Sequence, residues 1–179
     1  EIFLLIFPEF KNLEHLNHLQ ILSNDKDIDE VILLSVLLID EKNNHEYFLH
    51  KYNVSNDLKD NLNLIAKNYI NIKKDKNFFL KNLKKNIYFF GKKHLFALNT
   101  LCFSNNKKVK LKDYLDILNN IKEFNIPKFP IDGNFLKNNG MQEGILVGKT
   151  LKSLEAEWIN SDFKISKERV IKIIKSQNN

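Results

Sequence analysis

The stretch "NFFLKNLKKNIYFFGKKHLFALNTLCFS" (77–104) decides how the chain is read. At about 100° per residue, Phe79, Leu83, Ile87 and Phe90 share one helical face, while Lys74, Lys81, Lys85 and Lys92 share another. The pattern predicts basic helices over 77–90 and 92–104, with an apolar stripe for a core and a lysine stripe facing outward. Its aromatic side chains are read as core residues rather than as rings that stack on bases. Outward from this stretch, residues 9–126 hold one Gly and no Pro. Such unpunctuated sequence, rich in Leu, Ile, Lys and Asn, suits helices joined by short polar turns. Period-two alternation and tight hairpin turns, the marks of strands, are scarce before residue 130. The expected fold is all-α.

Further helices are expected over 13–22, with Leu13, Leu16, Leu19 and Leu22 in line, and over 28–39, capped by Asp25 or Asp27 and buried on most sides. Others are expected over 45–51, from a Ser55 cap through 69 with Leu58, Leu62 and Ile65 on one face, and over 112–124 with Leu115, Leu118 and Ile121 as its stripe. The last fifty residues differ. Four of the five Gly and two of the three Pro fall between 127 and 148. "IPKFPIDGNFLKNNG" (126–140) cannot run as one helix, because Pro127 and Pro130 remove donors and the glycines favour turns. A helix over 144–159 should then align Val147, Leu151, Leu154 and Trp158. Gly144 and Gly148, four apart on it, leave a bare backbone face for tight helix packing or for a phosphate. A last helix starts at Ser166-Lys167-Glu168 and runs through 175. The expected architecture is a multi-helix body followed by a Pro/Gly-punctuated helical tail.

The 179 residues and 21.1 kDa suffice for a core without staples. One cysteine, Cys102, excludes a disulfide framework and a Cys-rich zinc site, and its apolar surroundings read as a buried structural thiol. Twenty-seven Lys against one Arg, with 26 Asn and 20 Ile, read as the codon choice of an A+T-rich genome. The opening at Glu1 reads as a fragment or a processed product. "EIFLLIFPEF" (1–10) is too short for a signal peptide's apolar region, and the longest apolar run elsewhere, 31–39, is no membrane span. A cytoplasmic setting follows as the expectation.

Codon bias does not explain where the charge lies. Residues 1–66 carry 5 Lys and 12 acids, residues 67–112 carry 13 Lys and the single acid Asp75, and residues 113–179 are nearly balanced. A block of +12 repels itself unless something anionic neutralises it, and nucleic acid is the commonest such partner. The alternative is a solvated surface. No catalytic centre accompanies the charge. Asp25, Asp27 and Asp29 form DxDxD, but a calcium loop starting there would put Glu30 and Val36 where Gly and Glu are needed. His15 and His18 share a face without a third ligand, and no Gly-rich phosphate loop or GxSxG occurs. No catalytic residue and no metal ligand is expected in this chain.

"FPIDGNFLKNNGMQEGILVGKTLKSLEAEWINSDFKISKERVIKIIKS" (129–176) resembles the C-terminal tail of bacterial-type tRNA nucleotidyltransferases, the CCA-adding enzymes, and of the related poly(A) polymerases. The resemblance is carried by Ile131, Gly133, Asn134, Leu136, Gly140, Gly144, Gly148, Leu151, Leu154, Trp158 and Ile159. In style, with Glu155 before Trp158, it is most similar to alphaproteobacterial members. Looser similarity reaches upstream through "LLIFPEFKNLEHLNHL" (4–19), "DIDEVILLSVLL" (27–38) and "HKYNVSNDLKDNLNLI" (50–65). The family's catalytic Gly-rich loop, its Asp-x-Asp metal pair and its Glu-Asp-x-x-Arg nucleotide-reading motif are missing.

The resemblance implies the end of neck-like helices over 1–22, a helical body over 23–125 and a tail over 126–179. It further implies tRNA backbone binding as the C-terminal half of a CCA-adding enzyme, inactive alone, with tRNA and a separate catalytic-head chain as partners. No cofactor is implied for this chain, although the complete family enzyme uses Mg²⁺ with CTP and ATP. Backbone contacts are expected from Lys73, Lys74, Lys81, Lys85, Lys92, Lys93, Lys107, Lys108 and Lys110. The alternatives are a helical protein-interaction module and a poly(A) polymerase remnant without activity. A self-contained enzyme is the weakest reading.

Overall fold

The computed structural model describes residues 2–22, 28–40 and 42–177. Among these residues the chain is 70% helical and has no strand, so the fold is all-α. In chain order the helices are α1 (Ile2–Ile6), a 3₁₀ turn (Leu13–His15), α2 (Leu16–Ile21), α3 (Glu30–Leu38), α4 (Asn44–Lys51), α5 (Asn56–Lys74), α6 (Leu83–Asn105), α7 (Leu111–Glu123), α8 (Gly133–Asn138), α9 (Ile145–Asn160) and α10 (Lys167–Gln177). The chain divides into two compact units, Glu1–Phe124 and Asn125–Asn179.

In the first unit α6 is the axis. Between His94 and Ser104 every residue except Cys102 is buried, and α2, α3, α5 and α7 all pack against the helix. Leu95, Leu98 and Leu101 are fully buried and meet Val36, Leu38 and Leu62 in one core. A helix enclosed on all sides must also satisfy its polar side chains from its neighbours. Asn99 Nδ2 donates to Tyr114 O at 3.0 Å, the Thr100 hydroxyl lies 3.3 Å from that of Tyr114, and His18 Nδ1 lies 2.9 Å from Ser104 O. The entry segment is fixed to α4 in the same manner. The Glu9 side chain, 1% exposed, accepts from Lys51 Nζ at 3.2 and 3.3 Å, while Asn44 Nδ2 donates to Glu9 O.

The second unit has its own core of Ile131, Leu136, Met141, Leu154, Val170 and Ile174. Trp158, 3% exposed, packs at a tilt against Phe129 at 5.3 Å and edge-on to Phe163 at 4.9 Å. Arg169, the sole arginine, grips Glu157 through Nε at 2.7 Å and Nη2 at 3.1 Å, tying α10 to α9.

Several sequence expectations shift. The cap of α3 is Asp29, whose Oδ1 accepts from Ile32 N at 3.1 Å, whereas Asp25 and Asp27 lie outside the described residues. Residues 13–22 form a 3₁₀ turn followed by α2 instead of one helix. In α7 the buried stripe is Tyr114, Leu118 and Ile121, and Leu115 is 40% exposed. Ser55 does cap α5, accepting from Leu58 N at 3.2 Å, and that helix continues to Lys74. The tail begins its last helix as expected, with Arg169 N donating to Ser166 Oγ at 3.2 Å.

Leu98→Ala opens a hole at the centre of the helical axis and should cost about 2–5 kcal/mol. Urea unfolding followed by circular dichroism measures it, and a loss under about 1 kcal/mol would mean that α6 is not the core element.

Candidate nucleic-acid interface

The lysines of 67–112 do not form one helical stripe. α6 starts at Leu83 rather than at 77, because residues 75–82 run in turns around Asp75. Asp75 accepts from Asn77 N at 2.8 Å and from Asn82 Nδ2 at 3.0 Å, and Asn86 Nδ2 donates to Phe78 O at 2.9 Å. Lys74 therefore ends α5 and Lys81 sits in the turn, while Lys85 is on the first segment of α6. At Gly91 the backbone turns to φ +80° and ψ 162°, a conformation costly for residues with a Cβ, and the helix restarts at Lys92.

Apart from Lys67, within α5, the basic residues consequently occupy three places. Lys73, Lys74, Lys76, Lys81, Lys84 and Lys85 surround the α5–α6 turn, and Lys92 and Lys93 stand at the helix break. Lys107, Lys108, Lys110 and Lys112 fill the α6–α7 connection and the start of α7. The buried part of α6, roughly 20 Å at 1.5 Å per residue, separates the second group from the third.

Some of the nominated lysines have structural work. Lys73 lies over the Tyr69 ring at 4.7 Å. Lys92 Nζ donates to Lys122 O at 2.7 Å, capping the end of α7. Lys93 pairs with Asp29 at 3.6 Å, but its side chain is 95% exposed and the pair is weak. Lys92, Lys93 and Lys122 line a groove of about 730 Å³ together with Asp29, Glu30 and Asp57 and the apolar Ile65, Phe96, Leu118 and Ile121. This mixed-sign groove is a poor seat for a polyanion.

His94, beside that groove, is held neutral. Burial pushes its pKa down to about 4, and Nε2 accepts from Asn68 Nδ2 at 3.0 Å while Asn71 Nδ2 donates to Asn68 Oδ1. Nδ1 then bears the proton, buried without a hydrogen-bond partner. His45 is likewise pushed below its ordinary value by burial. Cys102, partly buried against the core, has its thiol pushed up to about 12 by burial and is no nucleophile. Among the described residues no group of three His, Cys, Asp or Glu side chains is placed to hold a metal, and no helix is long and apolar enough to cross a membrane.

In the tail, Asp132 caps α8 by accepting from Phe135 N at 2.7 Å, which sets Gly133 and Asn134 in the first turn. A Cβ on Gly133 would meet Val147 at an ordinary 3.6 Å. Gly140 turns the chain at φ +98°, and Gly144 opens α9 at φ +146°. A Cβ on Gly148 would meet nothing within 4 Å, so no helix of the second unit packs closely over it. Comparisons of the chain with protein-family models, curated proteins and solved structures each returned no match.

Two outcomes follow from this geometry. Below pH 6.5 the unfolded chain binds protons that folded His94 and His45 refuse, so stability should fall as pH drops from 6.5 towards 4. Denaturation midpoints measured across that range should fall less steeply in His94→Gln, and an unchanged slope would remove His94 from the account. Gly148→Ala fills open space inside a helix and should stabilise by about 0.5–1 kcal/mol. A lower melting temperature would show a close contact at that face.

Proposed function

We propose that this chain holds RNA by its phosphate backbone, in the role of the body and tail of a CCA-adding tRNA nucleotidyltransferase, with tRNA as its partner and the catalytic head supplied by another chain. One observation carries the reading. Lys74, Lys76, Lys81, Lys107, Lys108, Lys110 and Lys112 are exposed, and none has a carboxylate within 4.0 Å among the described residues. The block's only acid, Asp75, is engaged with Asn77 and Asn82.

Lysines attract phosphates as point charges and do not need a particular base. The bidentate fork that reads guanine belongs to arginine, and the single Arg169 is committed to Glu157. Such a surface suits a protein that grips many tRNAs alike. The all-α fold and the separate tail unit accord with the resemblance of 129–176 to the family's tail.

The test is tRNA binding titrated from low to physiological salt. Lys85 is partly buried and Lys92 holds the end of α7, so charge reversal there would disturb the fold itself. Lys107→Glu/Lys108→Glu/Lys110→Glu should weaken binding at least tenfold and lower the slope of log K against log salt by about 2–3. Helicity should be unchanged. Wild-type affinity in this variant would overturn the role of that cluster, and displacement by polyglutamate but not by bulk tRNA would favour an acidic protein partner.

A further inference from the structure

Most aromatic side chains of the basic block enter the core. Phe78 is 6% exposed, and Phe79 and Phe90 pack against the same cluster. Phe89 does not, with 56% of its surface open to solvent. It lies one helical turn after Lys85 and two residues before the break at Gly91, beyond which Lys92 and Lys93 follow. Its ring meets Tyr88 edge-on, at 5.7 Å between centroids and 79° between planes. From Lys76 to Lys112 the sequence contains no acid.

We propose that Phe89 is a stacking platform for an unpaired RNA base, with the exposed lysines of the α5–α6 turn, rather than Lys92 and Lys93, drawing in the adjoining phosphates. The inference rests on the RNA-binding reading above and narrows it to unpaired nucleotides in a loop or at an end. A base inside a duplex already has its faces covered by its neighbours, so only an unpaired one presents a π face to a protein ring.

The surroundings fit a base better than a bilayer or a partner helix. Leu83 and Ile87, the other apolar residues of Leu83–Phe90 in line with the core, are 7% and 0% exposed. Within Leu83–Phe90, Phe89, with Tyr88 at its edge, is thus the exposed apolar side chain, and the exposed Leu80 lies outside that helical segment, in the turn before it. A membrane-bound or groove-bound helix needs several exposed apolar side chains at helical spacing. One ring flanked by cations matches the paired requirement of a nucleotide, an apolar face joined to an anion.

The experiment compares wild type, Phe89→Ala and Phe89→Trp on a single-stranded RNA 12-mer and on a duplex of the same length. Loss of one stacked base should weaken single-strand binding by about 5- to 150-fold in Phe89→Ala. Duplex binding, salt slope and melting temperature should stay as in wild type. Phe89→Trp should restore affinity, and its added fluorescence over Trp158 should be quenched by the single strand and not by the duplex.

Equal single-strand affinity in wild type and Phe89→Ala, a matching loss on the duplex, or an unquenched Trp at 89 would each overturn the stacking role. If wild type binds both RNAs and Phe89 affects neither, the stacking inference alone falls. If wild type binds neither, the RNA-binding reading falls with it.

Discussion

The burial of one helix governs the first unit. From His94 to Ser104 α6 is surrounded by α2, α3, α5 and α7, and almost no residue of it reaches water. Burial on all sides supplies the largest favourable term, yet it obliges every polar side chain there to find a partner. The neighbours meet most of that demand, leaving His94 Nδ1, Ser104 Oγ and Asn105 Oδ1 without a partner. Tyr114 answers Asn99 and Thr100, Asn68 answers His94, and Tyr69 and Ile39 O receive Asn105 Nδ2. These bonds also fix register, because sliding α6 by one residue would strand several donors at once.

The break at Gly91 lets the same helix serve two environments. Ahead of it, Leu83–Phe90 has a buried side and a lysine-bearing side, while from His94 to Ser104 the helix has no free side. A straight helix would carry one amphipathic pattern into the other. A glycine at φ +80° resets the direction without the steric penalty that a Cβ would incur. Charge is thereby displaced to the ends of the buried segment, where it meets solvent.

The tail unit solves a different problem with fewer residues. Its small core is closed by aromatic packing around Trp158 and by the two-pronged Arg169–Glu157 pair across α9 and α10. The bond to Arg169, aided by its charge, holds the Glu157 carboxyl below its usual range despite the opposing effect of burial. The glycines divide by function. Gly140 and Gly144 occupy positive-φ positions at turns, whereas Gly148 is helical and leaves open space above the backbone.

Helical class, the Ser55 cap and the separate character of the last fifty residues were all legible from sequence, because each depends on neighbours within a few positions. The asymmetry of charge was legible too, since charge per segment is a property of composition. What the sequence hid was context. Asn44, Asn68, Asn86 and Asn99, easily attributed to codon bias, are buried and bonded to partners between 8 and 35 residues away. Phe89 and Phe90 are adjacent aromatic residues, yet one faces water and the other packs on the core. The expected lysine stripe dissolved because an Asp75-centred turn and the Gly91 break interrupt the periodicity that defined it. Sequence alone determined which elements form and where charge accumulates. Tertiary structure decided which side chains each element encloses, because burial depends on long-range packing that local periodicity does not encode.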